Sequence, residues 1–175
     1  MTMQFNFAAV VGALALTTSC STSVHAAAPT GARAAHHCAP EQIAHNEALV
    51  RIVFDEILSK GRIDENEHIY AQDFVAHGEG QDSGRVEDRA ATLGWRTAAP
   101  DVKMTVLRLV ADCEMVSAHW EGTGTNTGVG NGLPATGRKI RAQGVTFFKF
   151  RNGKIAEEWS VFDQYTMLRQ LDLLK

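Results

Sequence analysis

The first part of the chain spaces its apolar residues as a helix does. From Pro40 to Ser59 they recur at intervals of three and four, which predicts an amphipathic helix that begins at the proline. A short second helix is expected after Asp64, and one apolar face from Val86 to Thr97 predicts a third, which Pro100 ends. Between the last two helices, residues 73–77 are expected to be extended. The sequence therefore predicts three helices before its main run of strands.

The second part of the chain is rich in β-branched and aromatic residues and predicts four strands. They are placed at residues 102–110, 114–123, 139–150 and 155–163. Asn152-Gly153 predicts a tight hairpin between the last two, and six glycines from Gly122 to Gly137 predict a long connection. Helices followed by mostly antiparallel strands indicate an α+β fold with the helices on one face of the sheet. Such a sheet curls, and its concave face can enclose an apolar cavity for a small ligand.

The amino-terminal segment does not continue these patterns. Residues 5–16 form an uncharged apolar run, and Val24-His25-Ala26 offers small residues where a signal peptidase cleaves. We therefore expect three segments: a secretory signal peptide (1–26), a flexible leader (27–40) and one domain (41–175). The mature protein is expected to be periplasmic or secreted, without membrane contact after the signal peptide has been removed.

The cysteines are interpreted in the light of export. Cys20 raises the alternative of a lipoprotein, which is less favoured because Thr17 stands where a large aliphatic residue is usual. Export would place Cys38 and Cys113 in an oxidising compartment, where a disulfide can persist, and the sequence leaves open whether they pair. The histidine pair before Cys38 lacks the spacing of a zinc site, so we expect a solvated leader there and no metal.

Composition and charge limit the classes of partner. The chain has 45% hydrophobic and 21% charged residues, and its 17 basic and 20 acidic residues give a net charge of −3. That balance argues against nucleic-acid or anionic-membrane partners, which require a basic surface. The sequence also lacks a phosphate-binding loop, a dinucleotide fingerprint and a His-Glu-x-x-His motif. We therefore expect a small hydrophobic molecule as the partner, and no cofactor.

Several segments together carry a family resemblance. They are Asn46, residues 53–54, 73–77, 100–102 and 122–128, and above all Gly153-Lys154-Ile155-Ala156-Glu157-Glu158-Trp159 through Asp163 to Leu171. These segments resemble the SnoaL-like polyketide (ester) cyclase family of the nuclear-transport-factor-2-like superfamily. The resemblance extends over roughly residues 42–172. The resemblance implies a cone-shaped fold, acid–base chemistry in the cone without a cofactor, and a homodimer packed through the sheet. It does not fix the reaction, because the superfamily includes cyclases, isomerases and lyases.

Asp163 is the first catalytic candidate, because the resemblance implies an aspartate that acts as general acid/base at this position. Strict alternation along a strand from Ile155 places Glu157, Trp159 and Asp163 on one face, where apolar neighbours would raise the pKa of the aspartate. Glu157 is a second catalytic candidate, since two close carboxyl groups divide into an acid and a base. A salt bridge from Glu157 to a neighbouring strand is the alternative.

Four further side chains are candidates, His77 as a third catalytic residue and the other three as ligand contacts in the cavity wall. His77 stands where the resemblance implies a pocket histidine, which would share a proton with the catalytic aspartate or orient a carbonyl. His119 and Trp120 are adjacent on a strand, so only one of them can line the cavity. Trp159 and Tyr70 complete the expected ligand contacts, the tyrosine as a hydrogen-bond donor to an oxyanion. For each of these residues a structural role is the alternative.

The sequence thus predicts an exported acid–base enzyme of the isomerase, cyclase or lyase type that acts on a small hydrophobic carbonyl or aromatic compound. The alternative is a non-catalytic module in which the same fold binds a small ligand or another protein. Two residues depart from the family pattern. Glu158 stands where many relatives have a histidine before the tryptophan, and Asn126 stands where many have a histidine in the glycine-rich segment.

Overall fold

The computed structural model describes residues 38–78 and 80–174. Their helices and strands follow in this order: α1 (Pro40–Ile52), a π-helix (Val53–Ser59), a 3-10 turn (Ile63–Glu65), α2 (Asn66–Ile69), β1 (Tyr70–His77), β2 (Asp82–Gly84), α3 (Arg85–Ala98), β3 (Lys103–Ala111), β4 (Met115–Thr125), β5 (Lys139–Arg151), β6 (Lys154–Phe162) and α4 (Gln164–Gln170). The predicted signal peptide, Cys20 and the leader up to residue 37 lie outside the described residues. Among the described residues, no helix is long and apolar enough to cross a membrane.

The six strands form one curled sheet in the order β2-β1-β6-β5-β4-β3. Neighbouring strands are antiparallel except β1 and β6, which run parallel. The predicted α+β fold, with helices packed on a mostly antiparallel sheet, is confirmed. The extended segment predicted at residues 73–77 is the end of β1. The sequence does not indicate β2, because three residues are too few to show an alternation.

The first helix changes its pitch halfway along its length. After Ile52 the chain continues as the π-helix, in which Phe54 and Ile57 are buried. Ser59 stabilises the end of this segment, because its hydroxyl donates to the carbonyl of Phe54 (2.7 Å) and accepts the N–H of Met104 in β3 (2.8 Å). Such widened turns are rare and frequently occur at functional sites. This one contributes its buried side chains to the space under the sheet.

A disulfide joins the start of α1 to the turn between β3 and β4. The Cα atoms of Cys38 and Cys113 lie 5.2 Å apart, and the structure thus pairs the two cysteines whose pairing the sequence leaves open. The carbonyl of Cys113 also accepts hydrogen bonds from Gln42 Nε2 (3.0 Å) and Asn46 Nδ2 (3.1 Å). The helix is therefore held to this turn by a covalent bond and by hydrogen bonds.

The hairpin between β5 and β6 has the geometry that its sequence predicts. Asn152 and Gly153 have φ angles of 53° and 72°, which lie in the left-handed region that an Asn-Gly turn requires. Arg151 and Lys154 pair across this turn. The predicted two-residue hairpin is confirmed.

The long connection between β4 and β5 is fastened by Asn126. Its buried amide group donates from Nδ2 to the carbonyls of Ala98 and Gly128, both at 3.2 Å. Its Oδ1 accepts the backbone N–H (3.0 Å) and the hydroxyl (2.8 Å) of Thr136. The residue that replaces the histidine of many relatives thus has a structural role, since it holds the connection to the end of α3.

Candidate functional site

The concave face of the sheet, the π-helix and α3 surround a cavity of about 300 Å³. Its wall is mainly apolar, and the largest apolar side chains in it are Phe54, Trp95, Met104, Trp120, Phe148 and Phe162. The volume lies at the lower end of the roughly 300–1,000 Å³ range of ligand pockets. The cavity is therefore suited to a small hydrophobic molecule.

Two carboxyl groups stand in this apolar wall. Glu158 extends from β6 and Asp88 from α3, and both are half-buried residues that line the cavity. Burial, and after it the charge of Asp88, raise the pKa of Glu158 to about 8. Burial raises the pKa of Asp88 to about 6. At neutral pH the pair therefore holds one proton, mainly on Glu158.

Four polar groups in the cavity wall lack a partner among the described residues. Among the residues that the structure describes, neither of the two carboxyl groups makes a hydrogen bond or an ion pair, and the hydroxyl of Tyr70 makes none either. Burial raises the pKa of Tyr70 well above its usual value, so its hydroxyl stays protonated. The buried amide oxygen of Asn66, in the same wall, is also without a partner among the described residues. Because polar groups inside proteins are nearly always hydrogen-bonded, these unpaired groups indicate a mainly hydrophobic ligand that carries polar atoms of its own.

A β-bulge decides which face of β6 lines this cavity. Phe150 of β5 pairs with Ile155, and Phe148 pairs with Glu158. From Ile155 to Glu158 the chain of β6 advances by three residues, whereas the opposing segment of β5, from Phe150 to Phe148, covers only two. β6 therefore contains one extra residue. An extra residue reverses the alternation of side chains beyond it. The inward face of the strand consequently changes between Ile155 and Glu158.

The predicted face of β6 lies outside the cavity. The side chains that this strand contributes to the wall are Glu158, Ser160 and Phe162. Glu157, Trp159 and Asp163, which unbroken alternation from Ile155 would place inward, do not line it. The prediction that these three residues face the ligand is wrong, because it assumes a strand without a bulge.

Asp163 caps α4 instead of lining the cavity. Its Oδ1 accepts the backbone N–H of Thr166 at 2.9 Å, and its side chain is exposed. The hydroxyl and the backbone N–H of Thr166 lower the pKa of Asp163, whereas the predicted catalytic role requires a raised one. A capping carboxylate held in its ionised form is a poor proton donor at neutral pH. The structure therefore does not place the predicted general acid/base at the cavity.

His77, Glu157 and Trp159 meet on the outer face of the sheet. The Nε2 atom of His77 lies 3.0 Å from Glu157 Oε2, its Nδ1 lies 3.0 Å from Asp82 Oδ1, and its ring stacks on Trp159 with 4.5 Å between centroids. Hydrogen bonds to Glu157 and Asp82 raise the pKa of His77. Glu157 also accepts from Lys149 Nζ (2.7 Å), and hydrogen bonds from Lys149 and His77 lower its pKa. These predicted residues come together, but not at the cavity, and the described residues hold no cluster suited to a metal ion.

The remaining two candidates divide between the faces. Tyr70 lines the cavity, as its expected role as a ligand contact requires. His119 lies on the outer face of β4, where its Nδ1 is 3.3 Å from Arg108 Nη1. The adjacent Trp120 takes the inward position.

The sequence does not single out Asp88, Glu158 or Ser160 for this site. Asp88 could be found from its helical spacing, since it stands four residues before Thr92 and seven before Trp95, on the face of α3 that lines the cavity. No local pattern reveals the other two, because the bulge that turns them inward depends on the pairing of β6 with β5.

A curled sheet with helices over its concave face and a mainly apolar cavity between them is the architecture of a nuclear-transport-factor-2-like protein. The family model of the SnoaL-like polyketide cyclases matches residues 48–171. The chain belongs to this family. A comparison with curated proteins found no significant match.

Solved structures support the same fold. TsrD from Streptomyces laurentii has a TM-score of 0.69 at 23% identity, over 75% of this chain and 97% of its own. A protein from Jannaschia sp. CCS1 has a TM-score of 0.71 at 19% identity, over 78% of this chain and 97% of its own. A SnoaL-like polyketide cyclase from Agrobacterium tumefaciens C58 has a TM-score of 0.60 at 23% identity, over 73% and 97%. At these identities the similarity shows the fold.

Proposed function

We propose that the protein is an acid–base enzyme that moves a proton on a small hydrophobic carbonyl compound bound in the cavity. The observation that carries this proposal is that two carboxyl groups with raised pKa values, those of Asp88 and Glu158, line one apolar cavity. Membership of a polyketide cyclase family supports cyclase-type chemistry on a small molecule. Removal of a proton next to a carbonyl is a step that isomerisation, cyclisation and carbon–carbon lysis can all use.

The two pKa values assign the roles of the pair. Asp88, with a pKa of about 6, is ionised at neutral pH and takes the proton from the carbon next to the carbonyl. Glu158, with a pKa of about 8, is protonated and gives its proton to the carbonyl oxygen as negative charge develops there. The C–H bond breaks, an O–H bond forms and the product is the enol, while the negative charge passes from Asp88 to Glu158. The protonated hydroxyl of Tyr70 is a second donor for that oxygen.

The pH dependence of proton exchange tests this assignment. We expect the protein to exchange the C1 hydrogens of 2-tetralone for deuterium, with a bell-shaped rate profile whose limbs lie near pH 6 and pH 8. Below the lower limb Asp88 is protonated and cannot accept a proton, and above the upper limb Glu158 is ionised and cannot donate one. The rate is measured by proton NMR in deuterated buffer, after subtraction of the exchange without protein.

Two results separate the proposal from its alternative. Exchange no faster than buffer from about pH 5 to 9, with both 2-tetralone and the flexible 4-phenyl-2-butanone, would contradict an acid–base enzyme of this type. Saturable binding of these ketones without exchange would favour the alternative, a non-catalytic ligand-binding module. A bell-shaped pH–rate profile that keeps both limbs in the Asp88→Asn variant would show that another group is the base.

We further propose that two copies of the chain associate through the outer face of the sheet. Phe147 of β5 and Val161 of β6 lie on that face with 43% and 60% of their surface exposed, in two of the central strands. Neighbouring exposed apolar residues of this kind indicate a contact surface.

The association is tested by sedimentation velocity. Phe147→Lys is expected to convert a dimer into a monomer, because it places a charge in the apolar contact. Val86→Lys is the matched control, since Val86 is 76% exposed on α3 and lies outside that face. A wild-type protein that sediments as a monomer at micromolar concentration would contradict the proposed dimer.

A further inference from the structure

Three side chains form a hydrogen-bonded chain across the inner face of the sheet. Trp120 of β4 donates from Nε1 to the Thr146 hydroxyl of β5 at 3.0 Å, and that hydroxyl lies 2.9 Å from the Ser160 hydroxyl of β6. Thr146 and Ser160 are directly opposite each other in the register of the two strands. All three residues line the cavity. We call this chain the hydroxyl relay.

The position of the indole ring depends on a glycine. Trp120 pairs with Gly144 across β4 and β5, and a Cβ atom at position 144 would collide with the indole ring. The ring therefore lies over the backbone of β5, from where its N–H reaches Thr146, the next inward residue along that strand. The fold thus fixes the first donor of the relay.

The chemistry of the three groups fixes the direction of the relay. An indole N–H only donates, so the oxygen of Thr146 accepts at this end. Thr146 is buried, and its own hydroxyl hydrogen has one acceptor within hydrogen-bond distance among the described residues, the Ser160 oxygen. The opposite direction would leave a buried hydroxyl donor unsatisfied, which is costly. Thr146 therefore donates to Ser160, and the hydrogen of the Ser160 hydroxyl is left to donate elsewhere.

The free donor of Ser160 faces the ligand space. Ser160 is exposed, and it is one of the residues that line the cavity. It stands two residues beyond Glu158 on the inward face of β6, which places the two positions about 7 Å apart along the strand. The cavity wall therefore presents the carboxyl group of Glu158 and, at a separate point, the hydroxyl of Ser160 as a neutral donor. The hydroxyl relay determines that this hydroxyl donates toward the ligand.

We propose that Ser160 forms a binding subsite that donates a hydrogen bond to an acceptor oxygen of the ligand. Thr146 and Trp120 are positioning residues that act through Ser160. The ligand class is a ring compound that carries a carbonyl, ether or phenol oxygen. A cavity of about 300 Å³ has about twice the roughly 150 Å³ that hold benzene in an engineered protein cavity, which suits one or two rings. The subsite is in the cavity of the proposed function but does not require proton transfer.

The subsite predicts how the cavity distinguishes between ligands of the same shape. 2-Tetralone and tetralin share a two-ring skeleton, and only the ketone carries an acceptor oxygen. The ketone is expected to bind more tightly than the hydrocarbon in the wild-type protein. Removal of one neutral hydrogen bond is expected to weaken binding of the ketone by about three- to tenfold.

The test measures the dissociation constants of 2-tetralone and tetralin by quenching of tryptophan fluorescence. Ser160→Ala and Thr146→Val are expected to weaken binding of the ketone three- to tenfold and to leave tetralin within about twofold. Thr146→Ser keeps the hydroxyl and is expected to bind the ketone like the wild type. Ser117→Ala is the matched control, because Ser117 is opposite Phe147 on the outer face.

The outcomes distinguish this inference from the proposed function. Equal losses of affinity for both probes in Ser160→Ala, or no loss of affinity for either, would overturn the subsite. Proton exchange by the wild-type protein, which tests the proposed function, would not be affected by that result. Selective loss for the ketone without any proton exchange would support the subsite and contradict the enzyme. Failure of both probes to bind the wild-type protein would overturn both, because each depends on a ligand in the cavity.

Discussion

Replacement of Glu158 by glutamine is expected to lower the rate of deuterium exchange at C1 of 2-tetralone by about 100-fold or more. Glutamine preserves the shape of the side chain but has no acidic proton to transfer, and a positioned acid or base contributes about 100- to 10,000-fold. The matched control is Glu157→Gln, which changes the adjacent carboxyl group on the outer face and is expected to leave the rate within about twofold. Both rates are measured by NMR at neutral pH.

Asp163→Asn completes the comparison, because the resemblance in sequence assigns the acid–base role to that residue. Since Asp163 caps α4 outside the cavity, the exchange rate of this variant is expected to stay near that of the wild type. A large loss in Asp163→Asn or Glu157→Gln, with none in Glu158→Gln, would contradict the site derived from the structure and favour the one derived from the sequence.

Stability measured against pH shows whether Glu158→Gln is folded and whether the carboxyl group is buried as described. The folded protein raises the pKa of Glu158 from 4.5 to about 8, so folding binds a proton between these values. The wild-type protein therefore loses stability as pH rises from about 4.5 to 8. The variant lacks this contribution, so its free energy of unfolding in urea should fall less over the same range.

Removal of the disulfide is expected to lower the free energy of unfolding by about 4 kcal/mol. The two cysteines are separated by 75 residues, and a cross-link over a loop of this length restricts the unfolded chain strongly. The variant Cys38→Ser/Cys113→Ser also frees the start of α1 from the turn between β3 and β4. The loss is measured by urea denaturation of the oxidised protein and of the double variant.

Two controls accompany the disulfide measurement. Both proteins carry Cys20→Ser, so that the third cysteine cannot form another pair. Dithiothreitol is expected to destabilise the protein that retains Cys38 and Cys113 and to leave the double variant unchanged. Equal urea midpoints for the oxidised protein and the double variant would show that the cross-link does not stabilise the fold.

The fold could be predicted because its signals are local. Apolar spacing locates the helix that starts at Pro40, and Asn152-Gly153 locates the hairpin, whose φ angles are both positive as that pair favours. The order of helices and strands then limits the architecture to a sheet covered by helices. A short strand such as β2 escapes this reasoning, since it forms only by pairing with β1.

The site was harder to predict because it is assembled from distant segments. Asp88 and Glu158 lie 70 positions apart in the sequence and share the cavity wall only in the folded chain. Glu158 and Ser160 are polar residues on the inward face, where a pattern analysis expects apolar ones. Asp163 shows the converse difficulty, because an aspartate before a short helix has the same sequence pattern whether it caps the helix or acts in catalysis.

The extra residue of β6 also governs how this strand can change during evolution. Loss of Ala156 would remove the extra residue, but Glu157 and Glu158 would keep their partners Lys149 and Phe148 and therefore their faces. A slip of β6 by one residue along β5 would instead turn Trp159 beneath the helices and Glu158 toward solvent, with no change in composition. Changes in the pairing of β6 with β5 are thus a route to a new chemistry, and roles transfer between homologues only when positions are matched by their cross-strand neighbours.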